Sequence, residues 1–160
     1  MIPLYHDFTG QTVLVFGGGP VGARKARRFA AEARVVVVSP EFVDGRGWQA
    51  DAADGSVELV RARPTPDDVE TWIERADPVL VVAATDDGAV NDAVAAAARR
   101  RGLLVNRADS SSIEPDDAAG SDATSEGTDD SDRVRDVVVP ATVSEGDVRV
   151  AVSTGGRSPA

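Results

Sequence analysis

Three glycines near the N-terminus constrain the fold of this 160-residue chain more than any other feature of its sequence. They form the pattern Gly17-x-Gly19-x-x-Gly22, directly after the apolar run Gln11 to Phe16 and directly before a segment of helical character. In this setting the first glycine permits a tight turn, the second lets a pyrophosphate approach the backbone, and the third lets helix and strand pack closely. The pattern predicts a dinucleotide-binding βαβ unit with the phosphates at the helix N-terminus.

Strands and helices alternate along the first two thirds of the chain. Apolar runs rich in β-branched residues predict five strands, namely Gln11 to Phe16, Arg34 to Val38, Val57 to Val60, Pro78 to Ala84 and Leu103 to Val105. Aromatic residues make up only 4% of the chain, so Val, Ala and Leu must fill a core of buried strands and small-residue helices. This alternation predicts a Rossmann-type, doubly wound parallel sheet of the α/β class.

Two of the predicted helices carry start signals. Thr65 as N-cap, Pro66 at the first position and Asp68 in a capping box predict one helix start. Thr85-Asp86-Asp87 predicts the cap of the next helix, which Gly102 should end.

The pattern changes after the fifth strand. Residues 110–132 hold eight acids and no Lys or Arg, and they lack apolar periodicity, which predicts a disordered acidic insert. Two apolar runs around Ser144-Glu145-Gly146 then predict a β-hairpin, with Pro140 at an edge or bulge. We therefore expect an NAD-binding Rossmann domain over residues 1–109, the insert over 110–132 and a small hairpin segment over 133–160.

Composition excludes several functions. The chain has no cysteine and one histidine, His6, so no resident metal site is expected. A net charge of −10 argues against binding nucleic acid or an anionic membrane. No apolar run approaches the roughly 20 residues of a transmembrane helix, and the N-terminus does not resemble a signal peptide, so a cytoplasmic protein is expected. Lys25 is the only lysine and Asp predominates among the acids, a bias that resembles haloarchaeal proteins but also fits a GC-rich genome.

Ligands of open α/β sheets lie at the carboxyl ends of the strands. The second strand ends in Ser39-Pro40-Glu41 and lacks the acid that usually accepts the ribose hydroxyls, which weakens the prediction of NAD. Ser39 can still bond a ribose hydroxyl with help from Glu41, and no Arg follows the strand to bind a 2′-phosphate, so NAD is modestly favoured over NADP. Thr85, Asp86 and Asp109 also follow strand ends, although capping is the simpler role for Asp86.

Four segments together resemble the precorrin-2 dehydrogenase family, the N-terminal module of siroheme synthases and its stand-alone relatives. They are the glycine run Gly17 to Ala26, the segment Ala83 to Asp87 with Asn91, the sequence Asn106-x-x-Asp109, and the run Val150 to Pro159. The likeness covers nearly the whole chain except the acidic insert, and the four segments occur in the family's order.

The resemblance implies NAD-dependent oxidation of precorrin-2 to sirohydrochlorin in siroheme biosynthesis, with ferrous-iron insertion as a second activity of some members. It implies Asp109 as the catalytic residue. For the cofactor it implies a set at three strand ends, comprising Gly17, Gly19, Pro20, Val21, Gly22, Ser39, Pro40, Glu41, Ala84, Thr85 and Asp86. The tetrapyrrole carries many carboxylates, and the residues expected to bind it are Asn106, Arg107, Thr154, Gly155, Gly156 and Arg157.

Family members continue beyond Ser158-Pro159 into helices that help form the dimer and cover the substrate. Residues 133–160 are therefore expected to be a dimerisation segment that stops before those helices, and the protein is expected to be a homodimer. The strongest rival interpretation is a regulatory NAD(H)-sensing domain of a transporter or channel. Such domains carry an acid at the end of the second strand and lack the Val150 to Pro159 segment.

Overall fold

Five parallel strands form the central sheet of the protein. The computed structural model describes residues 5–43, 48, 55–108, 137, 141–145 and 148–152. The strands are β1 (Thr12–Phe16), β2 (Arg34–Ser39), β3 (Val57–Arg61), β4 (Leu80–Ala83) and β5 (Leu104–Arg107). They lie in the order β3-β2-β1-β4-β5, and the helices are α1 (Pro20–Ala30), α2 (Val69–Ala76) and α3 (Gly88–Arg100). The expected Rossmann-type α/β fold is confirmed.

Each face of the sheet has its own hydrophobic core. Side chains alternate along a strand, so neighbouring residues of β1 point to opposite faces. Leu14 and Phe16 pack in a cluster with α2 and α3, whereas Val13 and Val15 pack in a cluster with α1. All four are at most 1% exposed, so β1 is covered on both faces and works only as the centre of a doubly wound sheet.

The strand register brings the carboxyl ends of all five strands to one edge. Phe16 pairs with Val38 of β2 and with Ala83 of β4, and Ser39 pairs with Arg61 of β3. The strand order reverses at β1, which has β2 on one side and β4 on the other. The loops that follow β1 and β4 lead to α1 and α3 on opposite faces of the sheet. A crevice opens between these loops, at the edge where open α/β sheets bind ligands.

The start of α2 differs from the sequence-based expectation. Thr65 was expected to cap a helix beginning at Pro66, but α2 begins at Val69 and Asp68 is its N-cap. The amide of Asp68 donates to the carbonyl of Thr65 in a tight turn, and the first helical bond runs from Trp72 to Asp68. The reciprocal contact of the expected capping box is present, because the Asp68 carboxylate accepts from the Thr65 amide at 2.8 Å. Thr65 and Asp68 therefore form a tight turn that directly precedes α2 and is not part of the helix.

The start and end of α3 confirm their signals. The Asp87 carboxylate accepts from the amides of Ala89 and Val90 at 2.9 and 3.3 Å. At the other end the chain turns at Gly102, whose φ of +73° favours glycine.

A two-stranded antiparallel sheet follows the Rossmann unit in sequence. Its strands are β6 (Ala141–Glu145) and β7 (Val148–Val152), which confirms the predicted hairpin. Pro140 and the acidic segment 110–132 lie outside the described residues. Val137 precedes the hairpin and is bonded to β5, since its amide donates to the Val105 carbonyl at 2.8 Å.

Candidate dinucleotide-binding site

The turn after β1 requires glycine at its first position. Gly17 has a φ of +116°, a region that residues with a side chain rarely adopt. A Cβ atom here would lie 2.1 Å from the carbonyl oxygen of Ala84 at the end of β4. The amide of Gly17 donates to the Val38 carbonyl at the end of β2. Gly17 therefore joins the ends of three strands through backbone contacts alone.

Gly22 brings the start of α1 against this turn. A Cβ atom at Gly22 would lie 1.9 Å from the carbonyl oxygen of Gly17, which leaves no space for a side chain. Gly18 is equally restricted, because its Cβ would lie 2.3 Å from the carbonyl oxygen of Glu41. The sequence reasoning gave no role to Gly18, although three consecutive glycines were a visible signal.

Gly19 is restricted by nothing in the described protein. Its φ of −72° and ψ of −178° suit any residue, and a Cβ atom here would meet no heavy atom within 4 Å. The amides of the first helical turn have no carbonyl partner within the helix, and no side chain caps α1. The open space beside Gly19 faces a helix N-terminus, as a pyrophosphate requires. Of the expected cofactor residues, Pro20 and Val21 form the start of this helix and are exposed.

Helix α1 is strongly basic and has no acidic residue in its first turn. Burial lowers the pKa of Lys25, and the nearby charges of Arg24 and Arg28 lower it further. Burial is the larger cause of this shift, and the two arginines add to it because they lie on the same helix. No carboxylate within the helix opposes an anion at its N-terminus.

The loop after β2 packs against the glycine turn. Ser39 is 5% exposed and its hydroxyl donates to the carbonyl of Glu41 at 2.6 Å. The amide of Val43 donates to the carbonyl of Gly18 at 3.0 Å. The Ser39 proton is thus used inside the loop, and its oxygen is left as an acceptor for a ribose hydroxyl. Pro40 and Glu41 lie in the same loop, with Glu41 exposed.

A buried asparagine holds the segment after β4. The Asn91 Oδ1 atom accepts from the Thr85 hydroxyl at 2.7 Å and from the Thr85 amide at 3.1 Å. Its Nδ2 atom donates to the Thr85 carbonyl at 2.9 Å. Asn91 is 3% exposed, so these bonds are shielded from water and fix the backbone beside Ala84. The neighbouring Asp86 is exposed, and Asp87 rather than Asp86 supplies the helix cap.

The end of β5 lies beside Val137. Asn106 is 3% exposed, and its Nδ2 atom donates to the Val137 carbonyl at 2.7 Å. Arg107 donates to the Asp92 carboxylate at 2.7 Å. The amide of Ala108 continues the ladder to the Ala83 carbonyl. Arg107 and the Asn106 Nδ2 atom are therefore already engaged with protein groups, whereas the buried Asn106 Oδ1 atom has no hydrogen-bond partner among the described residues.

The remaining site predictions fall outside the described residues. They are the expected catalytic residue Asp109, which directly follows Ala108, and the expected substrate residues Thr154, Gly155, Gly156 and Arg157. Within the described parts of the chain, no cluster of three or more His, Cys, Asp or Glu could hold a metal ion. No helix in those parts is long and apolar enough to cross a membrane.

Comparison with known families defines the class of this protein. Residues 4–115 match the family model described as NAD(P)-binding. The chain belongs to this family of NAD(P)-binding domains, which confirms the expected nicotinamide dinucleotide cofactor.

Similar proteins narrow the class further. The precorrin-2 dehydrogenase of Methanosarcina barkeri is 31% identical over 99% of this chain. Siroheme synthases of Gluconacetobacter diazotrophicus and Pseudomonas entomophila are 33% and 35% identical over 98% and 99% of it. The chain spans 60% of the length of the first relative and 28% of the length of the other two. These relatives confirm the resemblance drawn from the four sequence segments.

Solved structures agree with the sequence comparison. The precorrin-2 dehydrogenase SirC matches with a TM-score of 0.65 and 27% identity, over 99% of this chain and 64% of that chain. The Escherichia coli tRNA N6-threonylcarbamoyladenosine dehydratase TcdA, in complex with AMP, matches with a TM-score of 0.53 and 19% identity, over 62% of this chain and 50% of that chain. The second likeness shows the shared fold alone.

We expect Gly19→Ala to weaken NAD binding without loss of stability, and Gly22→Ala to lower the stability of the fold. Ala at position 19 fits the backbone, so the free energy of unfolding should be unchanged or rise by up to about 1 kcal/mol, while NAD affinity falls because the methyl group enters the phosphate space. Ala at position 22 should destabilise the fold by about 1–3 kcal/mol through its clash with Gly17. Urea unfolding and calorimetric NAD titration of both variants measure the contrast. Unchanged NAD affinity in Gly19→Ala would contradict the assigned phosphate position.

Asn91→Ala should destabilise the protein by about 2 kcal/mol, because it leaves the buried Thr85 amide and carbonyl without their partner. The adjacent Asp92→Ala is the control, since its side chain is 71% exposed and its ion pair with Arg107 should contribute less than about 1 kcal/mol. Urea unfolding of both variants gives the difference. Equal losses would show that Asn91 does not hold this segment.

Proposed function

We propose that this protein catalyses the NAD-dependent dehydrogenation of precorrin-2 to sirohydrochlorin. The observation that carries the proposal is that its similarity to a precorrin-2 dehydrogenase extends over 99% of the chain, whereas the NAD(P)-binding match covers residues 4–115. A general dinucleotide-binding domain would explain the second likeness but not the first. The same point disfavours a regulatory NAD(H)-sensing domain.

Each part of the cofactor can be assigned to a position in the described site. The space beside Gly19 suits the pyrophosphate, and the amides of Val21 and Gly22 at the start of α1 are its donors. The loop of Ser39 to Glu41 lies beside this position and suits the adenosine ribose. The Ala84 to Asp86 segment lies across the crevice and suits the nicotinamide half.

The bound nicotinamide supplies the hydride acceptor, so the chain must place the substrate and remove the accompanying proton. Asp109 is proposed as the group that takes or steers this proton. It is the next residue after Ala108, and Ala108 is bonded to Ala83 at the carboxyl edge of the sheet. Arg107 and the run Thr154 to Arg157 are proposed to bind the tetrapyrrole carboxylates, and Asn106 is proposed to support this substrate site. Arg107 would then exchange its exposed partner Asp92 for a substrate carboxylate, while Asn106 acts by holding Val137.

We propose that the dehydrogenase is cytoplasmic. Its chain would consist of an NAD-binding domain over residues 1–109, an acidic insert over 110–132 and a dimer-forming segment over 133–160. The acidic insert would repel an anionic substrate, and concentrated salt shortens the Debye length to about 3 Å at 1 M, which removes most of that repulsion. Activity is therefore best sought in concentrated KCl.

Asp109→Asn should lower NADH formation from precorrin-2 by about 100-fold or more while leaving NAD affinity unchanged, because it removes the proton acceptor but keeps the side-chain shape. Anaerobic assays of NADH absorbance in concentrated KCl measure the rate. Asp77→Asn is the matched control, since Asp77 lies before β4 at the opposite edge of the sheet. A native protein that binds NAD but yields no NADH would contradict the dehydrogenase assignment.

We also propose a homodimer formed through the β6–β7 hairpin. An isolated two-stranded sheet is marginally stable in water, and Val150 of β7 is 52% exposed. Val150→Glu should therefore shift the protein from dimer to monomer, whereas Glu145→Gln in the same hairpin should leave the dimer intact. Light scattering in concentrated KCl across the micromolar range measures both. A native protein that is monomeric throughout would overturn the dimer.

A further inference from the structure

Arg61 occupies a position at the carboxyl edge that the sequence analysis did not consider. It is the last residue of β3 and pairs in register with Ser39, the last residue of β2. Neighbouring strands lie about 4.8 Å apart, so Arg61 stands one strand outward from the expected ribose position.

The Arg61 guanidinium is held over the loop that follows β2. Its Nη1 atom donates to the carbonyl of Pro40 at 3.2 Å, and its Cζ atom lies 5.7 Å from the centre of the Phe42 ring. These contacts use one of the five N–H groups and orient the planar cation without neutralising it. The side chain is exposed, so the remaining donors can meet a ligand at this edge.

Several other arginines of the described surface are paired with carboxylates. Arg34 pairs with Glu58, Arg100 with Glu70, and Arg107 with Asp92. Arg61 has only a backbone carbonyl and an aromatic ring among its partners in the described residues. Among the described residues, Arg61 is thus a held cation at this edge that pairs with no carboxylate, in a chain of net charge −10.

The end of β2 lacks the acid that normally excludes a 2′-phosphate. An Asp or Glu at this position accepts both ribose hydroxyls and repels a phosphate, whereas a nearby Arg accommodates it. Ser39 occupies this position instead, and its hydroxyl donates a hydrogen bond to the Glu41 carbonyl. The Glu41 carboxylate is exposed two residues further on and can still favour the unphosphorylated ribose.

We propose that Arg61 binds the 2′-phosphate of NADP, so that this chain accepts NADP as well as NAD. The proposal rests on the proposed function, since it assumes that the adenosine ribose lies beside Ser39. The phosphate would receive charge-assisted hydrogen bonds from the free N–H groups of Arg61, while Glu41 opposes it in part. The two opposing charges lead us to expect similar affinities for the two cofactors.

Calorimetric titration of the full chain with NAD and with NADP tests this directly. The native protein should bind NADP within about tenfold of NAD, and Arg61→Gln should weaken NADP binding by about tenfold or more while changing NAD binding by less than about threefold. Arg63→Gln is the matched control, because Arg63 is exposed on the same segment and lies beyond the end of β3. It should change neither affinity.

Arg61→Lys separates charge from a purely structural role. It keeps the cation, so it should retain most of the NADP affinity, and added KCl should weaken NADP binding more than NAD binding in the native protein. Equal losses of NAD and NADP affinity in Arg61→Gln, or native protein that binds NAD but rejects NADP, would overturn the proposal. Failure to bind either cofactor would instead overturn the dinucleotide site itself.

Discussion

The close contact between backbone atoms around Gly17 is the constraint on which the rest of the structure depends. The carbonyl of Gly17 meets α1 at Gly22, and the space where Gly17 could carry a side chain is filled by the carbonyl of Ala84. A helix that approaches a strand this closely presents its first-turn amides to the crevice beside β1. The same contact links β4 to the turn, so one cluster of backbone atoms sets the positions of both halves of the proposed cofactor.

The hydrophobic core and the site depend on each other through β1. The strand is buried on both faces because helices cover the sheet on each side, and this burial holds it between β2 and β4. The crevice exists because the loops that follow β1 and β4 lead to helices on opposite faces of the sheet. The sheet's apolar residues thus determine where polar loops meet, although none of them needs to touch a ligand.

Much of the fold could be predicted because its signals are local. Alternating apolar runs, the cap at Asp87 and the stop at Gly102 each depend on a few adjacent residues, and all are present. The start of α2 was misplaced by one turn, because the Asp68 carboxylate accepts from the Thr65 amide in a tight turn as it would in a capping box. The Asp68 amide, however, donates to the Thr65 carbonyl and not to the Thr65 hydroxyl.

The site was less predictable, since its contacts join residues far apart in the chain. Arg61 meets Pro40 only through the pairing of β3 with β2, and Asn106 meets Val137 across the acidic segment. The predicted roles of Ser39 and Glu41 rested on sequence position, which could not show that the Ser39 proton is used within its own loop.

The return of the chain to β5 at Val137 has a consequence for how this protein can vary. The chain leaves the sheet after Ala108 and rejoins the same strand, with Val137 bonded to Val105 and Asn106. Both junctions are fixed by the sheet, so the distance that residues 109–136 must bridge is set by β5 and not by their own sequence. Selection can therefore change the length and charge of this connection almost independently of the fold.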